Sequence, residues 1–186
     1  MVAQRIEGKK GSTFANYEDE FEYLISAGIA LNVQAISTPT FPLIESSGKN
    51  LLKLYLNDVG ILTSILYGSN IRAILEDERS INLGSVYESV VASELIAHGY
   101  NLFYYDNRSK GEVDYLIDDY DSLSAVPIEV KSGKDYTIHS ALNTFVKNDD
   151  YHVKKAYVLS NAREITTNGK VTYLPIYDVM FLQSNS

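Results

Sequence analysis

The sequence predicts an α/β fold, a mixed β-sheet flanked by helices, and three observations carry that expectation. From about residue 81 onward, stretches with apolar residues at helical spacing alternate with short runs rich in β-branched and aromatic residues. Turn signals separate these runs, among them Gly99, the acidic turn at 118–121 and Ser132-Gly133. Two of the strand-like runs also carry charges two residues apart, in Glu112-Val-Asp114 and in Glu129-Val-Lys131.

Residues 1–15 read as a flexible lead, with Gly8, Gly11 and Ser12 among lysines. A helix is expected at 17–27, where Phe21, Leu24 and Ile25 fall at i, i+3 and i+4. Glu18, Asp19 and Glu20 suit the positive end of its dipole, and Gly28 suits its left-handed cap. Extended stretches are expected at 29–36 and 51–56, divided by Pro39, Pro42 and Ser46-Ser47-Gly48-Lys49. Helix then hairpin is the back half of a winged-helix layout, and the missing front helices predict a fragment of a longer chain. A helical patch at 60–67 leads to a charged connector at 76–80. That connector is the expected boundary between an N-terminal helix and hairpin segment, residues 1–80, and the α/β domain, residues 81–186.

In the second unit a helix is expected at 83–98, closed by Gly99. Strands follow at 101–105, 112–117 and 125–131. Ile138, Leu142, Phe145 and Val146 mark a further helix face, and strands at 156–160 and 171–175 finish the order. Helix, three strands, helix and two strands imply a mixed sheet with helices packed on it.

Hydrophobic residues make up 45% of the chain and charged residues 22%, so a real core is affordable. No apolar run approaches the roughly 18–20 residues that span a bilayer, and the polar first ten residues are no signal peptide. There is no cysteine, which excludes disulfides and thiolate metal sites. These features predict a cytoplasmic protein. The net charge of −8 is spread along the chain, with 7 Lys/Arg against 10 Asp/Glu in residues 1–80 and 9 against 14 in residues 81–186. Nucleic-acid binding draws most of its non-specific affinity from a basic face, so this balance counts against tight binding by the chain alone. The 15 tyrosines suit core edges and interfaces.

The charged doublets are where chemistry is expected. Side chains alternate along a strand, so Glu112 with Asp114, and Glu129 with Lys131, leave from one side each. The short acidic turn between these strands places Asp114 and Glu129 across from each other near one end. Adjacent carboxylates raise one another's pKa, and a divalent cation removes that penalty. Asp114, Glu129 and the carbonyl of Val130 are hard oxygen ligands suited to Mg²⁺ or Mn²⁺. Lys131 would orient a water or offset charge on a phosphate. Glu88 shares a helix stripe with Val91, Ala92 and Leu95, which turns an acid toward the sheet and makes it a further candidate ligand.

Other patterns carry less. His98, His139 and His152 lack metal-ligand spacing and read as surface or helix-end residues. Asp118, Asp119 and Asp121 lack the Gly and Glu of a calcium loop and read as a solvated hairpin tip. No G-x-x-x-x-G-K-[S/T] occurs, so ATP is not expected on a P-loop of this chain.

At these residues the chain resembles the PD-(D/E)xK nuclease superfamily, which includes restriction endonucleases and archaeal Holliday-junction resolvases. It is more closely similar to the domain of unknown function that ends many bacterial and archaeal AAA-type ATP-binding proteins. The likeness rests on Lys53-Leu-Tyr-Leu-Asn-Asp-Val-Gly60, Gly84-Ser-Val-Tyr-Glu88, Glu112-Val-Asp-Tyr-Leu116, Pro127-Ile-Glu-Val-Lys-Ser-Gly133 and Leu174-Pro-Ile-Tyr177. It implies a restriction-endonuclease-like sheet, Asp114, Glu129 and Lys131 as the catalytic signature, and Glu88 as the helix acid. It also implies a partner module that holds ATP and precedes Met1. Two functions are therefore expected in order: metal-dependent phosphodiester hydrolysis on DNA or RNA under control of an ATPase, or a non-catalytic module of that ATPase binding nucleic acid or protein.

Overall fold

The computed structural model describes residues 17–46, 51–68, 70, 72, 75–76, 82–133, 137 and 139–184. The lead at 1–15, the turn at 47–49, Ile138 and most of the connector at 76–80 lie outside these residues. Helix α1 (Glu18–Ser26) has its three acids in the first turn, buries Phe21 and is followed by Gly28 at φ +69°. Strand β1 (Ala30–Ile36) pairs antiparallel with β2 (Leu52–Leu56). Helix α2 (Val59–Tyr67) is capped by the Asp58 carboxylate, which accepts from the Ile61 amide at 3.1 Å. Helix α3 (Gly84–Ala97) ends before Gly99 at φ +87°.

The remaining strands are β3 (Phe103–Asn107), β4 (Gly111–Asp119), β5 (Ser124–Lys131), β6 (Ala156–Ser160), β7 (Thr166–Asn168) and β8 (Val171–Pro175), with α4 (Ser140–Val146) between β5 and β6. A 3₁₀ turn, Ile176–Phe181, follows β8. All eight strands form one mixed sheet in the order β2-β1-β3-β4-β5-β6-β8-β7. The helix and hairpin expected at the N-terminus are present, but the hairpin is no separate wing. Strand β1 runs parallel to β3, with Gln34 opposite Phe103 and Ile36 opposite Tyr105. Chain on both sides of the connector thus shares a single sheet.

Each sheet face has its own core. On one, Val91, Ala92 and Leu95 of α3 pack on Val33, Tyr115, Ile128 and Leu159. On the other, Leu142 and Phe145 of α4 pack on Tyr105, Val113, Leu116 and Val158. The Tyr105 and Phe145 rings meet edge to face at 4.8 Å, and Tyr105 shares a 2.9 Å hydroxyl contact with Tyr151. Fully burying such side chains stabilises by about 1.5–3 kcal/mol apiece. These two cores clamp β4 and β5, the central strands that carry the candidate residues.

Gly111 opens β4 at φ +92°, and a Cβ built on it would sit 2.9 Å from the Ala141 Cβ of α4. Strain and overlap act together there, so Gly111→Ala is expected to cost about 1–3 kcal/mol. A lower urea midpoint with unchanged slope is the readout.

The acidic turn departs from expectation. Asp118 accepts the Leu43 amide at 3.0 Å, and Asp119 pairs with Lys155 at 3.1 Å. Burial pushes the Asp118 carboxyl up. Both aspartates belong to β4, so the hairpin tip lies beyond them.

Candidate metal and catalytic site

Strand β4 reaches the site through an irregularity. Phe103 pairs with Leu116 and Tyr105 with Val113, so Tyr104 alone opposes Asp114 and Tyr115. Such a β-bulge re-aims side chains where a ladder would otherwise dictate them. Val113 packs with the α4 core, whereas Tyr115 packs with the α3 core. The Asp114 Oδ2 accepts the Val130 amide at 2.8 Å. The Val130 N–H thus ties Asp114 to β5.

Glu129 and Lys131 project from the sheet face opposite Ile128 and Val130, whose side chains pack with α3. The Lys131 Nζ lies 2.6 Å from the Glu129 Oε1. Glu129 is 6% exposed, and its Oε2 is buried without a hydrogen-bond partner. A buried charge is tolerated only when paired, so this half-satisfied carboxylate is costly as it stands.

Glu88 is held by residues that its own sequence neighbourhood does not reveal. The Tyr55 hydroxyl of β2 donates to its Oε2 at 2.8 Å, and the Tyr115 hydroxyl donates to its backbone carbonyl, also at 2.8 Å. Burial, with the Glu88 charge behind it, pushes the Tyr55 phenol far above its ordinary value. Glu112, expected beside Asp114, is exposed and paired instead with Lys53 of β2. The same ammonium lies 4.8 Å over the Tyr104 ring.

Asp114 is where these charges meet. Burial first, then the charges of Glu129 and Glu88, push its carboxyl up to about 7, against smaller lowering from the Val130 amide and Lys53. Burial alone would lower Lys131, but the hydrogen bond and charge of Glu129, with Asp114 and Glu88 beyond, hold it above its usual value. The expected grouping is thus electrostatic more than coordinative. Among the described residues, no three His, Asp or Glu side chains are placed to hold an ion together.

Residues 83–179, from the start of α3 into the closing 3₁₀ turn, match a domain of unknown function, DUF4143. The chain belongs to this family. DUF4143 occurs as the C-terminal domain of AAA-type ATPases. No curated protein and no solved structure matches the chain. The DUF4143 region contains Glu88, Asp114, Glu129 and Lys131, whereas Lys53 and Tyr55 lie outside it. Among the described residues no helix is long and apolar enough to cross a membrane.

Proposed function

We propose that this DUF4143 domain is a nuclease-like module that hydrolyses phosphodiesters of DNA or RNA with Mg²⁺ or Mn²⁺. The observation that carries the reading is the buried, unpartnered Glu129 Oε2 beside an Asp114 carboxyl whose pKa is pushed up to about 7. Lys131 meets only one of the two Glu129 oxygens, and a hard cation would compensate this pair of carboxylates further. Mg²⁺ keeps several waters and often takes only one or two protein carboxylates, so a third protein ligand is not needed. When bound, the cation would supply Lewis-acid polarisation of the phosphate and an acidified water. Asp114 and Glu129 would hold it, with Glu88 steadied by Tyr55 as a more distant acid. Lys131 would leave Glu129 for the phosphate and offset charge that develops on it. The order helix acid, strand Asp and Glu-x-Lys, with its resemblance to the PD-(D/E)xK superfamily, supports the same reading.

The family's place at the end of AAA-type ATPases supports an ATP-holding partner module for this chain. The net charge of −8 favours a second reading, a module of that ATPase that binds without cutting.

Calorimetry with Mn²⁺, followed by incubation with single- and double-stranded DNA and RNA, separates the two. Saturable Mn²⁺ binding is expected, lost in Glu129→Gln. Metal-dependent cleavage is expected to fall about 100-fold or more in Lys131→Ala. Mn²⁺ binding without cleavage of any substrate supports the binding module, and absence of millimolar Mn²⁺ binding ends the metal assignment.

A further inference from the structure

The loop that joins β3 to β4 carries two cations on a backbone that is held at both ends. Asn107 closes β3, and its Oδ1 accepts the Ser109 amide at 3.0 Å, the Ser109 hydroxyl at 2.9 Å and the Lys110 amide at 3.2 Å. Gly111 follows at φ +92°, close against Ala141 of α4. Between these anchors stand Arg108, Ser109 and Lys110, all exposed. Among the described residues the Arg108 guanidinium has no carboxylate partner. The Lys110 ammonium lies 5.2 Å over the Tyr151 ring, on the face that carries α4.

Charge is divided along β4. Arg108 and Lys110 stand at its Gly111 end, whereas Asp118, Asp119 and Asp121 stand at and just beyond its far end. The acids nearest the tip, Asp106 and Glu112, oppose each other across β3 and β4. Tyr104 packs with α3, so alternation turns Asp106 to that side, where Glu112 is tied to Lys53. Glu129 and Lys131 leave from the α4 side, as Lys110 does. Lys110 and Asp114 belong to one continuous stretch of chain and lie about 13 Å apart along it. That is the axial length of about four nucleotides in one strand of a duplex. Fixed, outward cations suit a polyanion, and the guanidinium fork matches phosphate oxygens. A net charge of −8 argues against a broad basic face, but not against a local contact of this size.

We infer that this hairpin tip holds the sugar-phosphate backbone of DNA or RNA beside Asp114, with Arg108 and Lys110 each neutralising one phosphate of the strand that enters the site. The choice of nucleic acid as the polyanion rests on the proposed function; the held, two-cation tip does not.

The test is fluorescence anisotropy of the full chain in EDTA with labelled mixed-sequence oligonucleotides, single-stranded and duplex, DNA and RNA, from about 50 to 200 mM salt. The double variant Arg108→Ala, Lys110→Ala is expected to bind about tenfold more weakly at the lowest salt, with a salt slope smaller by about 2. Exchanging the two cations, Arg108→Lys with Lys110→Arg, is expected to restore that slope. A control of equal charge change is Lys154→Ala with Lys170→Ala, both exposed and ahead of β6 and β8, at the other end of the sheet. It is expected to stay within about twofold of wild type, as sites without shared partners do. Equal losses in the two alanine pairs overturn the tip contact, since net charge alone would then explain them. Absence of oligonucleotide binding by the wild type at about 50 mM salt overturns it as well. Binding through the tip in a protein that cleaves nothing keeps the contact and removes the nuclease reading. Metal-dependent cleavage that the tip variant leaves unchanged does the reverse.

Discussion

Replacing Lys131 by Met is expected to destabilise the metal-free protein by about 2–4 kcal/mol. Removing one member of a buried ion pair costs about 3–5 kcal/mol because the other charge is left in a poor solvent. The lower figure reflects Lys131, whose side chain is 30% exposed and partly screened. Glu129 would then have neither oxygen compensated, its Oε2 already lacking a partner. Two companion measurements locate the cause. The double variant Glu129→Gln, Lys131→Met should recover most of the loss, and Mn²⁺ should recover part of it in the single variant. A loss below about 0.5 kcal/mol, the scale of an ordinary surface change, would show that Glu129 does not depend on this ammonium.

The metal-free protein is also expected to lose stability as pH rises from about 4 to 7, the window set by Asp114. Its folded carboxyl is pushed up to about 7 from 3.8. Within that window the folded state keeps a proton that the unfolded state has released. Stability therefore falls with rising pH, by at most about 1.4 kcal/mol per unit for one group, and the fall ends above the folded value. Asp118, raised by burial, acts in the same sense, so the comparison is wild type against Asp114→Asn. The variant should show a flatter profile. Saturating Mn²⁺ should flatten the wild-type profile as well, because binding favours the ionised carboxylate. Parallel profiles for the two proteins would mean that Asp114 titrates as an ordinary aspartate.

Much of the α/β order was legible because it rests on local patterns. Strands β6 and β8 fall where apolar runs stand between turn residues, and α3 ends where Gly99 takes a left-handed φ. Glu88 was legible as an acid among Val91, Ala92 and Leu95. Strand β7 was not, since Thr166, Thr167 and Asn168 are all exposed and offer no apolar period. The bulge was not, because it exists only relative to β3. Lys53 and Tyr55 were missed for the same kind of reason. They reach Glu112 and Glu88 only through the lateral order β2-β1-β3. His139 read as a helix-end residue, which it is, but its burial depends on Tyr173 from a strand 34 positions later.

The parallel seam between β1 and β3 sets the evolutionary unit and the folding unit at odds. The family match opens at residue 83, yet a polypeptide begun there would leave the outer amides and carbonyls of β3 bare, an invitation to intermolecular strand addition. It would also strip Glu88 of the phenol that anchors it. A piece that keeps this seam and this anchor has to include β1 and β2, from Ala30 onward.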